Sequence, residues 1–312
     1  MIVCLAANPS LDRLFEIERL VKGDIHRPLG FVQTAGGKGL NVARAVHALG
    51  ADVRAVALLR GHAGKWLDEA LAAEGVRCEA VWTHGENRAS LSVADRETGG
   101  LTEFYERGSE VPASAWPELL HAVGELLGEA KWLTISGSLP MGAPEDGYAD
   151  VVAEARAAGV RAALDAEGER LRKALGSQPD VVKVNAAEAA ELLGVPTARR
   201  DEALAAAQKL RDLAGGGGHA GLVTRGADGV VLAAPDGMLY EGMLYVRGRY
   251  PVGSGDAFLA GLVTGLNAGE DWPAALRLAL GAATANAELP GAGKLDPSRA
   301  RALAERAEVR LA

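Results

Sequence analysis

The segment from Val252 to Asp256, Val-Gly-Ser-Gly-Asp, combines residue types that could bind an anion and hold a base beside it. Gly253 and Gly255 lack a Cβ, so consecutive backbone N–H groups can converge, and the apolar run after them predicts a helix whose N-terminus adds partial positive charge. Asp256 falls in the first turn of that helix, where the dipole should keep its carboxylate ionised. Phosphoryl transfer to a hydroxyl requires a base beside an anion site. A helix start capped by Ser254 or Asp256 accounts for these residues equally well.

A second glycine-rich turn, Ala35 to Arg44, enters a predicted helix near the N-terminus. Its backbone can approach a polar ligand closely, and Lys38 and Asn41 would present a cation and an amide from the helix start. The turn does not have the Walker A pattern of a P-loop, so it is not the phosphate-binding loop of that class.

Three further polar segments follow predicted strands. Asp12 could accept hydrogen bonds from sugar hydroxyls, or it could cap a turn. Asn185 and Glu188 lie three residues apart at a helix start, where they could hold Mg²⁺ through water, although the pair taken alone favours a helix N-cap with a capping-box glutamate. The segment 224–229 could wrap a nucleotide phosphate or ribose, or it could be a simple hairpin turn.

An alternation of helices and strands must position these segments. Helical stretches end at Gly50, Gly75 and Gly159, and each glycine precedes a short apolar run that predicts a buried strand. The alternation indicates an α/β fold with a parallel sheet and with ligands at the carboxyl ends of its strands. The chain from Leu276 onward is rich in alanine and predicts helix.

Two segments depart from this alternation. Residues 14–32 and 88–105 contain short β-prone runs punctuated by glycine and proline, which predict a small antiparallel sheet apart from the main one. We interpret this sheet as a lid over the site or a flap between subunits, and simple edge strands are the alternative.

The composition excludes several classes of protein. The chain has 312 residues, of which 48% are hydrophobic, and a net charge of -8 with acidic and basic residues interspersed. This predicts a globular protein without a basic surface for nucleic acid or membranes. No apolar stretch approaches the ~20 residues of a membrane helix, and the start does not resemble a signal peptide. The two cysteines, Cys4 and Cys78, suggest neither a disulfide framework nor a metal site, so a reducing cytoplasm is expected.

Five segments together resemble the PfkB, or ribokinase-like, sugar kinases, in the family's order and spacing over nearly the whole chain. They are Ala35 to Ala45, Ile135 to Pro140, Lys183 to Glu188, Thr224 to Gly229 and Gly253 to Asp256. The branch they resemble most is bacterial 1-phosphofructokinase and tagatose-6-phosphate kinase. The resemblance implies an α/β fold, a three-layer α/β/α sandwich with a mostly parallel central sheet and a small β-sheet lid. It also implies one domain over residues 1–312, with lid segments at about 13–33 and 87–106.

The resemblance implies a role for each motif. Asp256 would take the proton from the acceptor hydroxyl, while the amides of Gly253, Ser254 and Gly255 neutralise charge on the transferred group. The residues implied to bind the phosphosugar are Asp12, Gly37, Lys38, Asn41, Arg88 and Ser138. Those implied to bind ATP are Lys183, Asn185, Thr224, Arg225, Gly226, Ala227, Asp228, Gly229, Ala282 and Asn286. Asn185 and Glu188 would hold Mg²⁺, in part through water.

Four positions differ from the usual family pattern. Val184 replaces a proline, Ser254 replaces an alanine, and Asp165-Ala166 lacks the usual hydroxyl residue after the aspartate. Tyr250-Pro251 replaces a small polar lead-in, and because Pro251 fixes φ and removes a donor just before the anion turn, it could change nucleotide affinity.

The activity implied is ATP-dependent phosphorylation of a ketohexose monophosphate, with D-fructose 1-phosphate as the first choice. Lys38 and Arg88 favour a phosphosugar, because two cations facing neutral hydroxyls would lack an anion to pair with. Tagatose-6-phosphate kinase and 6-phosphofructokinase are alternatives, and a non-catalytic sugar- or nucleotide-binding regulator is a remote one. A homodimer formed through the lid is also expected.

Overall fold

A ten-stranded sheet forms the centre of the computed structural model, which describes residues 1–312. Its strands lie in the order β14-β13-β12-β11-β10-β9-β8-β1-β4-β5. Their bounds are β1 (Ile2–Ala6), β4 (Val53–Arg60), β5 (Arg77–Thr83), β8 (Trp132–Ser136), β9 (Arg161–Asp165), β10 (Val181–Asn185), β11 (Ala220–Thr224), β12 (Val230–Ala233), β13 (Leu239–Met243) and β14 (Glu308–Leu311).

Ten α-helices cover both faces of this sheet. Alternate residues of β1 show the division, because Ile2 and Cys4 belong to one apolar cluster while Val3 and Leu5 belong to the other. The first cluster packs α1 (Lys38–Ala48), α2 (Gly61–Ala73), α8 (Ser254–Asn267), α9 (Trp272–Ala287) and α10 (Pro297–Ala304). The second packs α3 (Ala115–Leu127), α4 (Gly147–Ala157), α5 (Gly168–Leu175), α6 (Ala186–Leu193) and α7 (Arg200–Leu213). The result is the three-layer α/β/α sandwich that the family resemblance implies.

The large sheet is parallel from β5 to β11 and antiparallel from β11 to β14. The prediction of helix from Leu276 onward holds for α9 and α10 but misses β14 at the C-terminus. Residues 308–311 are too few to show a period of their own, and their strand conformation depends on pairing with β13.

A second sheet of four strands lies beside the large one, in the order β3-β2-β6-β7. Its strands are β2 (Ser10–Ile17), β3 (Gly30–Gly36), β6 (Arg88–Asp95) and β7 (Leu101–Tyr105). The sheet is mixed and not antiparallel as expected, because the central pair, β2 and β6, is parallel. Each of these strands forms an antiparallel pair with the strand that follows it, and the two hairpins then meet side by side.

Some compositional features have direct structural counterparts. Both cysteines are free thiols, and Cys4 is buried in β1 while Cys78 is half-buried in β5. Burial raises the pKa of each thiol to about 12. None of the helices has the length and apolar character needed to span a bilayer.

Candidate active site

A cavity of about 940 Å³ lies between the carboxyl ends of the large sheet's strands and the small sheet. The large sheet contributes residues that end or follow β1, β8, β10 and β11, where a parallel α/β sheet binds ligands. The small sheet contributes Asp12, Arg88, Ser90, Leu101, Glu103 and Tyr105. The N-termini of α1 and α8 close the floor of the cavity. Both glycine-rich turns of the sequence therefore face one space.

The turn before α8, which we call the anion turn (Gly253 to Asp256), requires glycine at its first position. Gly253 is the N-cap of α8 with φ of 81°, and a Cβ there would lie 2.7 Å from Cα of Ala292. The left-handed conformation and this close approach together exclude larger residues.

Most amides of the anion turn have no backbone acceptor. The amide of Ser254 donates to the backbone oxygen of Pro251 at 3.1 Å, whereas those of Gly253, Gly255 and Asp256 make no such bond. The first N–H groups of a helix have no intrahelical acceptor, so the turn offers donors and a positive dipole end to the cavity. Of the three amides expected to stabilise the transferred group, that of Ser254 is therefore already engaged.

Asp256 is buried in the first turn of α8, and its Oδ2 accepts a hydrogen bond of 2.8 Å from Nδ2 of Asn41. Burial, followed by the negative charge of Asp165, raises the pKa of Asp256 to about 7. Desolvation therefore opposes the effect of the helix dipole, which the sequence-based expectation considered alone. A pKa near neutrality suits a general base, which must accept a proton at working pH.

Two lysines enclose a carboxylate that no motif of the sequence assigned to the site. Asp165, at the end of β9, is fully buried and lies 3.2 Å from Nζ of Lys38. Nζ of Lys183 contacts its other oxygen. Burial raises the pKa of Asp165, but Lys183 and Lys38 outweigh this effect and hold it below the ordinary value. Lys38 also lies 3.7 Å from Oε1 of Glu188.

This cluster changes the role expected for Lys38. From the sequence, Lys38 is a cation without an anion, whereas the structure gives it Asp165 and Glu188 as partners. Its pKa is raised, chiefly by Asp165, so it stays protonated. A signal for Asp165 existed in the sequence, since an aspartate at the carboxyl end of a buried strand is well placed for function.

Polar side chains gather at the end of the cavity next to the small sheet, and several of their oxygen atoms have no hydrogen-bond partner. Nε of Arg88 donates to the backbone oxygen of Asn8 at 3.3 Å, and Nδ2 of Asn8 donates to Oγ of Ser138 at 3.0 Å. Oδ1 of Asn8, of Asp12 and of Asn41 are each buried with no hydrogen-bond partner. Because buried polar atoms are rarely left unpaired, these oxygens indicate a ligand that brings hydroxyl donors.

Asn185 and Glu188 form a complete capping box at the start of α6. Oδ1 of Asn185 accepts from the amide of Glu188 at 2.9 Å, and Oε2 of Glu188 accepts from the amide of Asn185 at 2.8 Å. The helix cap that the sequence offered as the alternative interpretation of this pair is therefore formed. Both residues also line the cavity, and Oε1 of Glu188 is not used by the cap. The two interpretations are compatible in this geometry.

The opposite end of the cavity contains only some of the residues expected to bind a nucleotide. Thr224, Gly226 and Ala227 line it, as do Val246 and Arg247 of the following loop. Arg225, Asp228 and Gly229 do not, because the short 3₁₀ turn at 226–228 directs them elsewhere, and Arg225 donates to the backbone oxygen of Ala198 at 3.3 Å.

The two residues of α9 that were expected to bind ATP do not line the cavity either. Ala282 and Asn286 are fully buried and do not line the cavity, whereas Ala283, Thr284 and Ala287 do. Nδ2 of Asn286 instead donates to the backbone oxygen of Val252 at 2.9 Å and so supports the anion turn from behind. The helical phase decides which residues face the ligand, and the sequence motif did not fix that phase.

Arg247 is a site residue that sequence reasoning missed. It lines the cavity without forming an ion pair, as Arg88 does. No motif marks Arg247, because it lies in an irregular loop whose path only the folded structure defines.

Comparisons with known proteins agree with this geometry. Residues 6–299 match the pfkB family carbohydrate kinase. Phosphofructokinase-2 from Escherichia coli, in complex with potassium, is similar in structure, with a TM-score of 0.89, 24% sequence identity and 98% of each chain covered. A candidate 1-phosphofructokinase from Thermotoga maritima also has a TM-score of 0.89, with 22% identity over 100% of this chain and 99% of the other.

A third similar structure is ribokinase from Arabidopsis thaliana, complexed with ribose and ATP, with a TM-score of 0.76, 22% identity and 97% and 98% of the two chains covered. These structural similarities establish the ribokinase-like fold. Sugar kinases of this family use ATP and transfer its phosphate to a hydroxyl group. Because the family match extends over most of the sequence, this chain belongs to the pfkB family of carbohydrate kinases.

Proposed function

We propose that the chain is an ATP-dependent kinase that adds a second phosphate to a ketohexose monophosphate, converting D-fructose 1-phosphate to fructose 1,6-bisphosphate. The observation that carries this proposal is the position of Asp256. Its carboxylate lies in the anion turn, next to Asn41, in a cavity that is also lined by Arg88 and Arg247, neither of which forms an ion pair. A base in a cavity with two such cations suits an acceptor that already carries a phosphate.

Arg88 supports a phosphosugar over a neutral sugar. Its guanidinium lines the cavity without an ion-pair partner within 4.0 Å, and burial lowers its pKa. A partly buried cation that lacks a carboxylate partner is stabilised when an anion binds. Ser138 and Lys38 line the same end and would complete the phosphate site. Asp12, Gly37 and Asn41 would bind the sugar hydroxyls.

Each residue around the anion turn would have a separate role in phosphoryl transfer. Asp256 would accept the proton of the attacking hydroxyl, and Asn41 would hold its carboxylate in place. The free amides of Gly253 and Gly255 would stabilise the negative charge that develops on the transferred group. Lys183 lies next to Gly255, since a Cβ on that glycine would be 3.0 Å from Nζ. It would therefore neutralise the phosphates of ATP near the turn.

Mg²⁺ fits this site as an ion that keeps most of its water. The chain has no cluster of three or more His, Cys, Asp or Glu side chains that could enclose a metal by itself. Two oxygen atoms at the cavity wall could bind the ion or its water. They are Oε1 of Glu188, which the cap does not use, and Oδ1 of Asn185, which keeps a second lone pair. Such sparse oxygen ligands suit Mg²⁺, which when bound would neutralise charge on the nucleotide phosphates.

The proposal also covers the domain organisation, the oligomeric state and the location of the protein. We infer one kinase domain over residues 1–312, with the small sheet acting as its lid. Exposed apolar side chains on or beside this sheet, including Ile25, Leu29, Phe31 and Phe104, support a homodimer formed through it. An inhibited form of the Escherichia coli phosphofructokinase-2 is a tetramer, which agrees with association in this family. The free thiols Cys4 and Cys78 suit a cytoplasmic enzyme.

Measuring ADP formation with Mg²⁺ and ATP over a panel of acceptors tests the proposal. Fructose 1-phosphate should give the highest kcat/KM, ahead of fructose 6-phosphate, tagatose 6-phosphate, fructose and adenosine. A preference for one of the other two phosphates would assign 6-phosphofructokinase or tagatose-6-phosphate kinase activity. Sugar binding without turnover of any acceptor would indicate a non-catalytic regulator. The intact anion turn and the presence of Asp256 argue against that alternative.

A further inference from the structure

Glu16, near the end of β2, contacts the loop that leads from β13 into the anion turn. Its Oε1 lies 3.0 Å from Nη2 of Arg249 and 3.5 Å from the hydroxyl of Tyr250. Its Oε2 accepts from Nη2 of Arg96 at 2.8 Å. The side chain is only 16% exposed. Arg96 first, then Arg249, lowers the pKa of Glu16, which therefore stays ionised.

Both sides of this contact are close in sequence to residues that line the cavity. Glu16 lies four residues after Asp12, so the two side chains share one face of β2. On the other side, the loop residues Val246 and Arg247 line the nucleotide end of the cavity. The amide of Tyr250 donates to the backbone oxygen of Ala287 at 2.8 Å, so the loop is anchored to α9 as well.

The interface around this contact is not completely filled. A cavity of about 50 Å³ lies between the small sheet and the loop, lined by side chains that include Leu14, Val32 and Val252. Because of this gap, the small sheet and the loop are not in continuous apolar contact beside Glu16. The pair between Glu16 and Arg249 is the ion pair that joins the small sheet to this loop.

We propose that Glu16 is a positioning residue that couples the two substrate sites. It holds β2 against the loop, so that Asp12 and the anion turn keep their spacing and the binding of either substrate favours the other. Arg249 and Tyr250 are its partners, which gives a role to the unusual Tyr250-Pro251 lead-in. The inference rests on the proposed function, because it assumes that the two ends bind a phosphosugar and ATP.

The test compares Glu16→Gln, Arg249→Gln and Tyr250→Phe with the wild-type protein. We expect Glu16→Gln to raise KM for both substrates about threefold to tenfold while kcat changes less than twofold. In the wild type, saturating fructose 1-phosphate should tighten binding of a non-hydrolysable ATP analogue at least fivefold, and the variant should lose most of this effect. Tyr250→Phe, which removes a single hydroxyl, should give a smaller change in the same direction.

Glu97→Gln is the matched control, because Glu97 pairs with Arg19 at 3.7 Å on the exposed surface beside the small sheet. It should leave both KM values and the coupling unchanged. Additive effects of Glu16→Gln and Arg249→Gln in the double variant, or wild-type coupling in Glu16→Gln, would overturn the proposal. Failure of the proposed sugar would appear separately, as a wild-type protein that binds the analogue but neither binds nor phosphorylates fructose 1-phosphate, whereas a wild type that binds both ligands without coupling would overturn the proposal.

Discussion

Oδ2 of Asp256 lies 2.8 Å from Nδ2 of Asn41, although 215 residues separate them in the sequence. The contact joins the N-termini of α1 and α8, so the two glycine-rich turns form one site. It also fixes the carboxylate whose pKa is raised to about 7 by burial and by Asp165. The electrostatics of this pair can be tested through the dependence of rate and stability on pH.

The pH profile of kcat/KM should have an acid limb near pH 7. Asp256 must lose its proton to act as base, so the rate should fall about tenfold per pH unit well below that value. The hydrogen bond from Asn41 lowers the pKa of Asp256, so Asn41→Ala should move the limb to higher pH. Steady-state kinetics from about pH 5.5 to 9 measure this, and a profile that stays flat down to about pH 5.5 would contradict a raised pKa for Asp256.

Asp256→Asn should abolish turnover and stabilise the fold. The pKa of Asp256 is about 7 in the folded protein against an ordinary 3.8 for an aspartate in the unfolded chain, so between these pH values the folded state holds a proton that the unfolded chain has lost. Wild-type stability therefore falls as pH rises through this window. The Tm of the variant should exceed that of the wild type by several degrees at about pH 8, and the difference should shrink below about pH 4. A variant less stable than the wild type under the alkaline condition would contradict this.

Asp165→Asn should destabilise the protein strongly. The substitution leaves the buried Lys183 without its carboxylate partner, whereas the partly exposed Lys38 keeps Glu188, and breaking a buried pair costs about 3–5 kcal/mol. Urea denaturation gives the change in the free energy of unfolding. The matched control is Asp52→Asn, since Asp52 pairs with Arg77 on the exposed surface, where the expected loss is below about 1 kcal/mol.

Gly253→Ala should raise KM for ATP and lower kcat. A Cβ at this position meets Ala292 at 2.7 Å in addition to the strain of a φ of 81°, so the anion turn must shift. Gly216→Ala controls for strain alone, because Gly216 has a φ of 80° and no atom within 4 Å of an added Cβ. Kinetics and thermal unfolding should show that the control loses about 1–2 kcal/mol of stability and keeps wild-type rates.

Arg88→Ala should raise KM for the phosphosugar about tenfold to hundredfold, which is the usual effect of losing a hydrogen bond to a charged group. KM for ATP should change less than about threefold. Arg13→Ala is the control, because Arg13 is an exposed residue of β2 that pairs with Gln33 at 3.0 Å. Equal increases in both KM values would argue against a phosphate site at Arg88.

The sequence by itself determined the architecture and the position of most site residues. Alternating helices and strands predict a sheet whose carboxyl ends gather the loops, and the motifs at 183–188 and 224–229 lie at such ends. The motifs at 35–44 and 253–256 lie at the starts of helices α1 and α8. Local patterns are sufficient here because helix starts, glycine turns and strand ends are set by residues near in sequence.

Only the tertiary structure decided the electrostatics of the site and the exposure of particular side chains. Asp256 is desolvated, Lys38 is paired with Asp165, and Ala282 and Asn286 face away from the cavity because of neighbours that are distant in sequence. The parallel pairing of β2 with β6 likewise joins two hairpins far apart in the chain. Burial and ion pairing depend on which surfaces meet, and no local sequence pattern specifies that.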